Sequence, residues 1–411
     1  MDRREFISYI SVAGTSGCLR MNQTESDTED PTNPQADRIS ETAQSTESIG
    51  TAENTQTDIE SSTTEPNTTE PETEEISFSK VWEIDTGLPL IFDTAVYGRS
   101  GMMDAAYAID IETGNTIWEK SGITNSGELI AKALGVGDSA VLYRVSADSG
   151  DYILALSQDD GTTLWKSTVD GQVYSRFLVT SDAFIANIND PSYGNSAVVG
   201  LDPDTGERLW QIDSGLINTG GTRRLGTVNG SGSAYVLAGT NSNSAQVSKI
   251  NPETGDHYWK WTEKTPVSPP RHTNGMVYVG MYQQFSAINA STGKTEWTTS
   301  TSGQCWTRSV IHDGKLIFGT RSSDVYALSL ESGEQQWRFQ TDGQINTVAG
   351  SDTGYIFAGT DNGSVYVLRG TDGQYLEDFS VEGAIEEMVV ASGHLLVNTD
   401  VPTMALSLQI S

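Results

Sequence analysis

Short segments that alternate between apolar and polar residues, or are apolar throughout, run through positions 80–411, and each segment ends at a turn. Val325-Tyr-Ala-Leu-Ser329 and Val365-Tyr-Val-Leu368 are examples, and such short runs are typical of β-strands. Each such strand is followed by a short polar stretch, a Gly and a second strand. Because Asp and Asn favour turns and Gly accepts positive φ, the pattern predicts β-hairpins. No segment of 80–411 has a helical period.

The hairpin is repeated along the chain. Its seven copies are centred on Gly114, Gly161, Gly206, Gly255, Gly293, Gly333 and Gly373. In the first six copies a Trp follows four residues later, at Trp118, Trp165, Trp210, Trp259, Trp297 and Trp337. The seventh copy has lost this Trp. A repeat of roughly 40–50 residues indicates a propeller or a solenoid, and one large aromatic per unit suggests packing between neighbouring sheets.

Two further strands precede each hairpin. Ser309–His312 and Lys315–Thr320 are joined at Asp313-Gly314, which is a strong hairpin signal. Four strands per unit define a propeller blade. An eighth unit is split between Lys80–Gly87 and Met404–Gln409. The sequence therefore predicts an all-β, eight-bladed β-propeller of four-stranded blades over 80–411, with the last blade closed by N- and C-terminal strands.

The repeat unit Ala-Leu-Asp-x-x-Thr-Gly-x-x-x-Trp resembles the PQQ-like (pyrroloquinoline-quinone-type) β-propeller repeat. The best copies are Ala108–Trp118, Gly200–Trp210, Ala287–Trp297 and Ala327–Trp337. The family includes quinoprotein alcohol dehydrogenases and non-enzymatic lipoproteins of the BamB type, which serve outer-membrane assembly. The resemblance implies the fold, but a shared fold does not transfer an activity.

The N-terminus carries targeting signals. Asp2-Arg3-Arg4-Glu5-Phe6-Ile7 resembles a twin-arginine export signal, and Gly17-Cys18 ends a lipobox-like run. The apolar run between them is too short to span a bilayer, so residues 1–18 are predicted to be a processed signal. Lipid on Cys18 would hold the protein at the outer face of the cytoplasmic membrane. The alternative is an ordinary N-terminus in which the arginine pair, Arg3 and Arg4, occurs by chance.

Residues 19–79 form a Ser/Thr/Glu/Pro tract that is nearly free of large apolar residues. Such a tract cannot bury enough surface to fold, so it is predicted to be a disordered acidic linker. N-glycosylation sequons begin at Asn22, Asn67, Asn229, Asn289 and Asn362.

The chain is strongly acidic, with 24 Lys and Arg against 55 Asp and Glu, a formal charge of −31. An acidic, lysine-poor surface is typical of proteins that stay soluble in very high salt. With the twin-arginine signal, it favours a haloarchaeal source; an ordinary acidic surface protein is the alternative. No basic stripe exists, so nucleic acid is not an expected partner.

Candidate catalytic and metal-binding residues are few. The four histidines (His257, His272, His312, His394) have no neighbouring ligand at metal spacing. Asp202-Pro-Asp204-Thr-Gly206 lacks the full ligand series of a calcium loop. Quinoprotein dehydrogenases carry an adjacent Cys-Cys disulfide beside the quinone and hold calcium, whereas this chain has only Cys18 and Cys305. We therefore expect no PQQ, calcium or other metal, and we expect Cys305 to pack as a small buried residue.

Segments that lead from one blade to the next carry a group of arginines and aromatics, expected near one mouth of the central channel. This candidate binding set is Tyr174, Arg176, Arg223, Arg224, Arg271, Trp306 and Arg308. The hypothesis is a funnel for an anionic or sugar-like ligand or an acidic peptide. The alternative is that each Arg pairs with a carboxylate within its own blade.

These patterns favour an exported, lipid-anchored propeller that acts as a non-enzymatic scaffold, binding a protein or a small ligand at the cell surface. Two alternatives remain open. One is a quinoprotein-type oxidoreductase, and the other is a BamB-like membrane-protein assembly factor.

Overall fold

The computed structural model describes residues 76–84, 90–92, 95–99, 104–125, 127–148, 150–168, 172–173, 177–190, 195–213, 225–229, 233–241, 244–263, 268, 270–305, 307–400 and 403–410. All of them belong to one compact unit; the second unit, Gly17–Thr73, lies outside the described residues. Within the described ranges the regular structure is entirely β, as predicted, and no helix there has the length and apolarity needed to cross a bilayer.

The strands form antiparallel sheets, which we number in chain order. The first strand, β1 (Ile76–Ile84), belongs to sheet 8. Sheet 1 contains β2 (Leu90–Phe92), β3 (Ala95–Arg99), β4 (Ala105–Asp110) and β5 (Thr116–Ser121). Sheet 2 contains β6 (Leu129–Val136), β7 (Ala140–Ser146), β8 (Tyr152–Ser157) and β9 (Thr163–Thr168). Sheet 3 contains β10 (Gln172–Val173), β11 (Leu178–Val179), β12 (Phe184–Asp190), β13 (Asn195–Leu201) and β14 (Arg208–Asp213). Sheet 4 contains β15 (Leu225–Asn229), β16 (Ser233–Asn241), β17 (Ser244–Ile250) and β18 (His257–Glu263).

The remaining sheets follow the same order of strands. Sheet 5 contains β19 (Arg271–Thr273), β20 (Met276–Gly280), β21 (Tyr282–Asn289) and β22 (Thr295–Gln304). Sheet 6 contains β23 (Val310–His312), β24 (Lys315–Gly319), β25 (Asp324–Ser329) and β26 (Gln335–Gln340). Sheet 7 contains β27 (Ile345–Gly350), β28 (Tyr355–Thr360), β29 (Ser364–Arg369) and β30 (Tyr375–Ser380). Sheet 8 contains β31 (Ile385–Ala391), β32 (His394–Thr399), β33 (Thr403–Ile410) and β1.

The described strands therefore make seven four-stranded sheets and one five-stranded sheet, in which β10 and β11 both pair with β12. The predicted turn at Asp313-Gly314 is confirmed, since both residues have positive φ, 45° and 69°, as a tight hairpin turn requires. Strand β1 begins at Ile76, four residues before the predicted start of the folded region. Ile76 and Phe78 add two apolar positions to the strand, and both pack against sheet 7.

The core is divided between the sheets. The described residues form eight clusters of buried apolar side chains, and each cluster is shared by two consecutive sheets. One of them joins Val96 and Tyr107 of sheet 1 to Ala391 and Leu396 of sheet 8. Full burial of an aliphatic or aromatic side chain is worth roughly 1.5–3 kcal/mol, so each interface between sheets contributes substantially to stability.

The repeated Trp and Gly meet between the sheets. A Cβ added to the turn Gly of one sheet would lie within 2.8 Å of the Trp ring of the preceding sheet, at all seven turns. The Trp indole N–H then donates to a carbonyl of the same turn, at 2.7–3.2 Å. The pairs are Trp82–Ile111, Trp118–Gln158, Trp165–Pro203, Trp210–Pro252, Trp259–Ala290, Trp297–Leu330 and Trp337–Gly370. The repeat motif is thus a contact between consecutive sheets.

Candidate functional site

The candidate binding face lies where the fourth strand of one sheet leads to the first strand of the next. We call it the crossover face and define it by residues 301–309, 341–347 and 381–387. First strands of consecutive sheets contact each other, for example β23 with β27 and β27 with β31. The crossover segments therefore lead into the innermost strands of the sheets.

Backbone hydrogen bonds hold the crossover segments to the turn between the second and third strands in sheets 6, 7 and 8. Asp361 N donates to Gln344 O at 3.0 Å, and Asp400 N donates to Ala384 O at 3.2 Å. Both aspartates also accept in return: Asp361 Oδ1 from Gln344 N at 3.0 Å, and Asp400 Oδ1 from Ala384 N at 2.9 Å. In sheet 6 the equivalent donor is Arg321 N, bonded to Gln304 O at 3.1 Å.

A second group of hydrogen bonds reaches the same segments from the third strands. The hydroxyl oxygens of Tyr326 and Tyr366, which occupy matching positions, accept from the backbone N–H of Ser302 and Asp342 at 3.1 and 3.4 Å. Asp324 is only 1% exposed. Its carboxylate accepts two hydrogen bonds from Arg338, at 2.8 and 2.9 Å, and one from the hydroxyl of Ser302. The backbone of the crossover face is therefore rigid, and this ion pair between buried Asp324 and exposed Arg338 serves its structure.

The side chains of this face, and of the turns that are hydrogen-bonded to it, differ in charge from sheet to sheet. Sheet 6 presents Arg308 and Arg321. Sheets 7 and 8 present polar and acidic residues, with exposed side chains at Asp342, Gln344, Asn346, Asp361, Glu382, Glu386 and Asp400. The described part of the face therefore carries basic side chains next to sheet 6 and acidic side chains at sheets 7 and 8.

Glu386 is an exposed carboxyl group of this face with a displaced pKa. Its side chain is exposed, although neighbouring atoms remove part of the water around its carboxylate. This partial burial raises the pKa of Glu386, and the nearby charges of Asp400 and Glu387 raise it further. Three carboxylates thus approach one another where β31 begins, and Asn346 of sheet 7 contacts the same strand by donating to Ile385 O at 3.1 Å.

Two of the seven predicted binding residues are among those described, and they occupy different positions. Arg271 is 8% exposed and lies in β19, paired with Tyr278. The matching position in sheet 6 is Val310, which pairs with Ile317. Arg308 is half-buried and precedes β23 by two residues. Tyr174, Arg176, Arg223, Arg224 and Trp306 lie outside the described residues, as do Arg3, Arg4 and Cys18.

Cys305 is buried, as predicted. It has no exposed surface, lies in the apolar cluster between sheets 5 and 6, and burial raises the pKa of its thiol to about 12. Within the described ranges, no group of three or more His, Cys, Asp or Glu side chains could hold a metal ion.

The sequence reasoning missed Asp361 and Asp400. The signal was a short repeat at the end of the buried second strand in sheets 6, 7 and 8. Its copies are Thr320-Arg321, Thr360-Asp361 and Thr399-Asp400. The three threonines are at most 5% exposed, which marks the end of the buried part of the strand. The next residue is the first that can reach the crossover segment.

Comparison with known proteins identifies relatives of this propeller. A curated relative, the outer membrane protein assembly factor BamB of Burkholderia pseudomallei, is 28% identical over 206 residues. That alignment spans 48% of this chain and 48% of the relative, so it covers about half the length of each protein.

Solved structures extend the likeness to most of the chain. BamB from Moraxella catarrhalis matches with a TM-score of 0.64 at 16% identity, covering 80% of this chain and 100% of that one. Quinohemoprotein alcohol dehydrogenase from Comamonas testosteroni matches with a TM-score of 0.59 at 13% identity, covering 80% and 76%. At these identities the two structures share the fold alone. The family model described as outer membrane protein assembly factor BamB matches residues 102–211, 194–351 and 321–406, so the chain belongs to this family of PQQ-like propeller repeat proteins.

Proposed function

We propose that the protein is an exported, lipid-anchored propeller of eight blades that binds a protein partner through its crossover face, without an enzymatic reaction. The observation that carries this proposal is the construction of the face. Its backbone is fixed by paired hydrogen bonds, whereas Gln344, Asn346 and Glu386 extend from it into solvent. A preorganised polar surface of this kind suits protein recognition, because little ordering entropy is lost on binding.

The eight sheets support the eight-bladed ring. Sheet 8 is completed by β1 and β33, strands from distant parts of the chain that pair from Ile76–Ile410 to Ile84–Thr403. Trp82 of β1 contacts the turn of sheet 1 in the same way that other tryptophans contact the sheet after theirs. Closure of the ring removes two free sheet edges that could otherwise pair with other chains.

The mixed charge of the face indicates the chemistry of the partner. A partner that approaches Arg308 and Arg321 would carry acidic groups there, and it would present basic or hydrogen-bonding groups to Glu386 and Asp400. Complementary charge of this sort mainly affects the rate and specificity of association.

The test is site-specific cross-linking of the full-length protein in its own membranes. A photoreactive amino acid at position 346 or 386 is expected to give a covalent adduct with one protein, identified by mass spectrometry. The same amino acid at position 208 or 260, which are exposed positions on the last strands of sheets 3 and 4, serves as the control. Equal labelling from both pairs of positions, or no labelling from positions 346 and 386, would reject the crossover face as the partner-binding surface.

The same cross-linking experiment tests the predicted arginines. Replacement of Arg223, Arg224 and Arg308 by Ala is expected to abolish the adduct formed from position 346. A charge-matched control replaces Arg208, Lys260 and Lys294, three exposed residues away from the crossover face, and is expected to leave the adduct in place.

The family match favours a second function, that of a BamB-like assembly factor for outer-membrane proteins. Its support is the family model over residues 102–406 and the relative from Burkholderia pseudomallei. The role requires a host with an outer membrane. Deletion of the protein would then lower the amount of inserted outer-membrane proteins, and the cross-linked partner would be another component of their assembly.

A quinoprotein-type oxidoreductase has the shared fold as its support. Absorbance and metal analysis of the natively purified protein test it directly. A stoichiometric quinone with calcium would establish this alternative and overturn the non-enzymatic proposal.

A further inference from the structure

Three of the five N-glycosylation sequons lie in the propeller, and the structure distinguishes two of them. Asn289-Ala-Ser291 is located at the hairpin turn of sheet 5, and Asn362-Gly-Ser364 is located at the turn between β28 and β29. The side chain of the third, Asn229, lies outside the described residues. A sequon needs an accessible side-chain amide nitrogen, because Nδ2 is the atom that receives the sugar.

The amide of Asn289 is engaged at both ends. Its Oδ1 accepts from the backbone N–H groups of Ser291 and Thr292 at 3.0 and 3.1 Å. Its Nδ2 donates to Glu296 Oε1 at 3.0 Å, and the residue is half-buried. Asp110 and Asp202 occupy the same position in the turns of sheets 1 and 3. Asn289 is therefore a residue of the repeat turn, and its nitrogen is in use.

The amide of Asn362 is engaged at its oxygen alone. Oδ1 accepts from the hydroxyl of Thr360 and from Ser364 N at 3.3 Å, which fixes the side chain in an Asx-turn. Nδ2 donates no hydrogen bond to the described residues, and the side chain is exposed at the tip of the turn. The reactive nitrogen is thus oriented and accessible.

The turn that carries Asn362 is rigid. A Cβ added to Gly363, which has φ +88°, would lie 2.6 Å from Val381 O and 2.8 Å from Gly383 O. Val381 N in turn donates to Gly363 O at 2.9 Å, and Asp361 N donates to Gln344 O. The turn is held between two crossover segments, so Asn362 is presented beside the crossover face in the folded protein.

We propose that Asn362 is an N-glycosylation site of the exported protein and that Asn289 is not. The donor is an oligosaccharide linked to a lipid phosphate or diphosphate. Asn362 Nδ2 forms a bond to C1 of the first sugar, the bond from C1 to the phosphate oxygen breaks, one amide proton leaves to a base, and the lipid phosphate is released. The inference rests on the exported location contained in the proposed function, because lipid-linked donors are used on that side of the membrane.

The position has a consequence for partner binding. A glycan on Asn362 covers the acidic side of the crossover face near sheet 7 and leaves Arg308 on sheet 6 open. The partner would then approach from the basic side, and removal of the glycan would increase cross-linking from position 346.

The experiment is peptide mass spectrometry on the full-length protein isolated from its native membranes. We expect a glycan mass on the peptide containing Asn362 and an unmodified Asn289. Ser364→Ala is expected to remove the glycan while keeping the turn, because Ser364 contributes its backbone N–H to the hydrogen bonds of the turn. Ser364→Thr preserves the sequon and is expected to restore the modification. Asn362→Gln gives the same loss as Ser364→Ala.

Fractionation of the same sample separates the two proposals. An exported protein with an unmodified Asn362, or with a glycan on Asn289 in its place, overturns the glycosylation site and leaves the scaffold function intact. An unmodified protein found inside the cell overturns both the site and the exported location. A glycosylated protein that gives no cross-linked partner overturns the binding function alone.

Discussion

The indole ring of Trp337 lies directly over Gly373 of the next sheet. A Cβ on Gly373 would be 2.6 Å from two atoms of this ring, and Gly373 has φ +75°. The Trp337 N–H donates to Gly370 O at 3.1 Å, three residues earlier in the same turn. Glycine is required here for two separate reasons, the backbone conformation and the space that the ring occupies.

Gly373→Ala is therefore expected to destabilise the protein by about 2–5 kcal/mol. Positive φ costs a non-glycine residue roughly 1–2 kcal/mol, and overpacking adds about 1–3 kcal/mol. Gly314→Ala is the matched control, since Gly314 has φ +69° and nothing lies within 4 Å of its added Cβ. Denaturant unfolding of both variants measures the difference. Equal losses in the two variants would show that the Trp ring moves away without cost.

The same contact explains why the seventh hairpin has Glu377 at the position where the other six hairpins have a Trp. Glu377 pairs with Val367 in the register that Trp337 and Ala327 have in the sheet before. A Trp at 377 would need a turn Gly in sheet 8, but β33 and β1 are not joined by a hairpin. Instead, Phe78 of β1 packs against Phe379, with ring centroids 4.5 Å apart.

The pairing of β1 with β33 predicts a specific disulfide. Ser79 lies opposite Ser407, so Ser79→Cys with Ser407→Cys is expected to form a disulfide, because directly opposed residues have the required separation. The bridge would close a loop of more than 300 residues and stabilise the fold by roughly 6 kcal/mol in the chain-entropy description. Non-reducing electrophoresis and denaturant unfolding, in a Cys18→Ser background, measure both effects.

The control for this disulfide is Ser77→Cys with Ser407→Cys. Ser77 lies opposite Gln409, so the two cysteines would be diagonal neighbours roughly 7–8 Å apart, too far for an unstrained bridge. Efficient oxidation of the control pair would contradict the register of the sheet that joins the two ends of the described chain.

Much of the fold could be predicted from the sequence, because one contact is repeated. Gly114 and Trp118 recur with their spacing, which predicts one hairpin in each unit. The contact of each turn Gly with the Trp of the preceding sheet is seen in the structure. The prediction began the fold at residue 80, whereas β1 begins at Ile76. Ile76 and Phe78 alternate with polar residues directly after the polar tract, so they were assigned to that tract. The functional face was predicted least well. Whether an Arg at this face is buried depends on its register in the strand, which no local pattern reports.

Glu386 gives the crossover face a predictable response to pH. Partial burial, followed by Asp400 and Glu387, raises the pKa of this carboxyl in the folded protein. A raised acid pKa means that the folded state binds the proton more tightly, so ionised Glu386 lowers stability at neutral pH. Glu386→Gln is expected to raise the unfolding midpoint at pH 7. The gain disappears as the pH falls below the ordinary Glu value of 4.5.

Thermal unfolding of Glu386→Gln across pH 3–8 measures this difference. Glu334→Gln, at an exposed turn position of sheet 6, removes the same charge outside the crossover face and is the matched control. A gain for Glu386→Gln that is constant from pH 8 to pH 3 would show that the effect comes from packing instead of ionisation.

The two described arginines of the binding hypothesis are expected to separate into a structural residue and a surface residue. Arg271 is 8% exposed and belongs to β19, whereas Arg308 is half-buried on the crossover face. Arg271→Ala would remove a buried polar side chain together with its interactions, at a cost of about 1–3 kcal/mol. Arg308→Ala is expected to change stability by less than about 1 kcal/mol and to reduce cross-linking from position 346. Denaturant unfolding and cross-linking of both variants test these two assignments. A large loss of stability in Arg308→Ala would assign this residue to the core and remove it from the binding face.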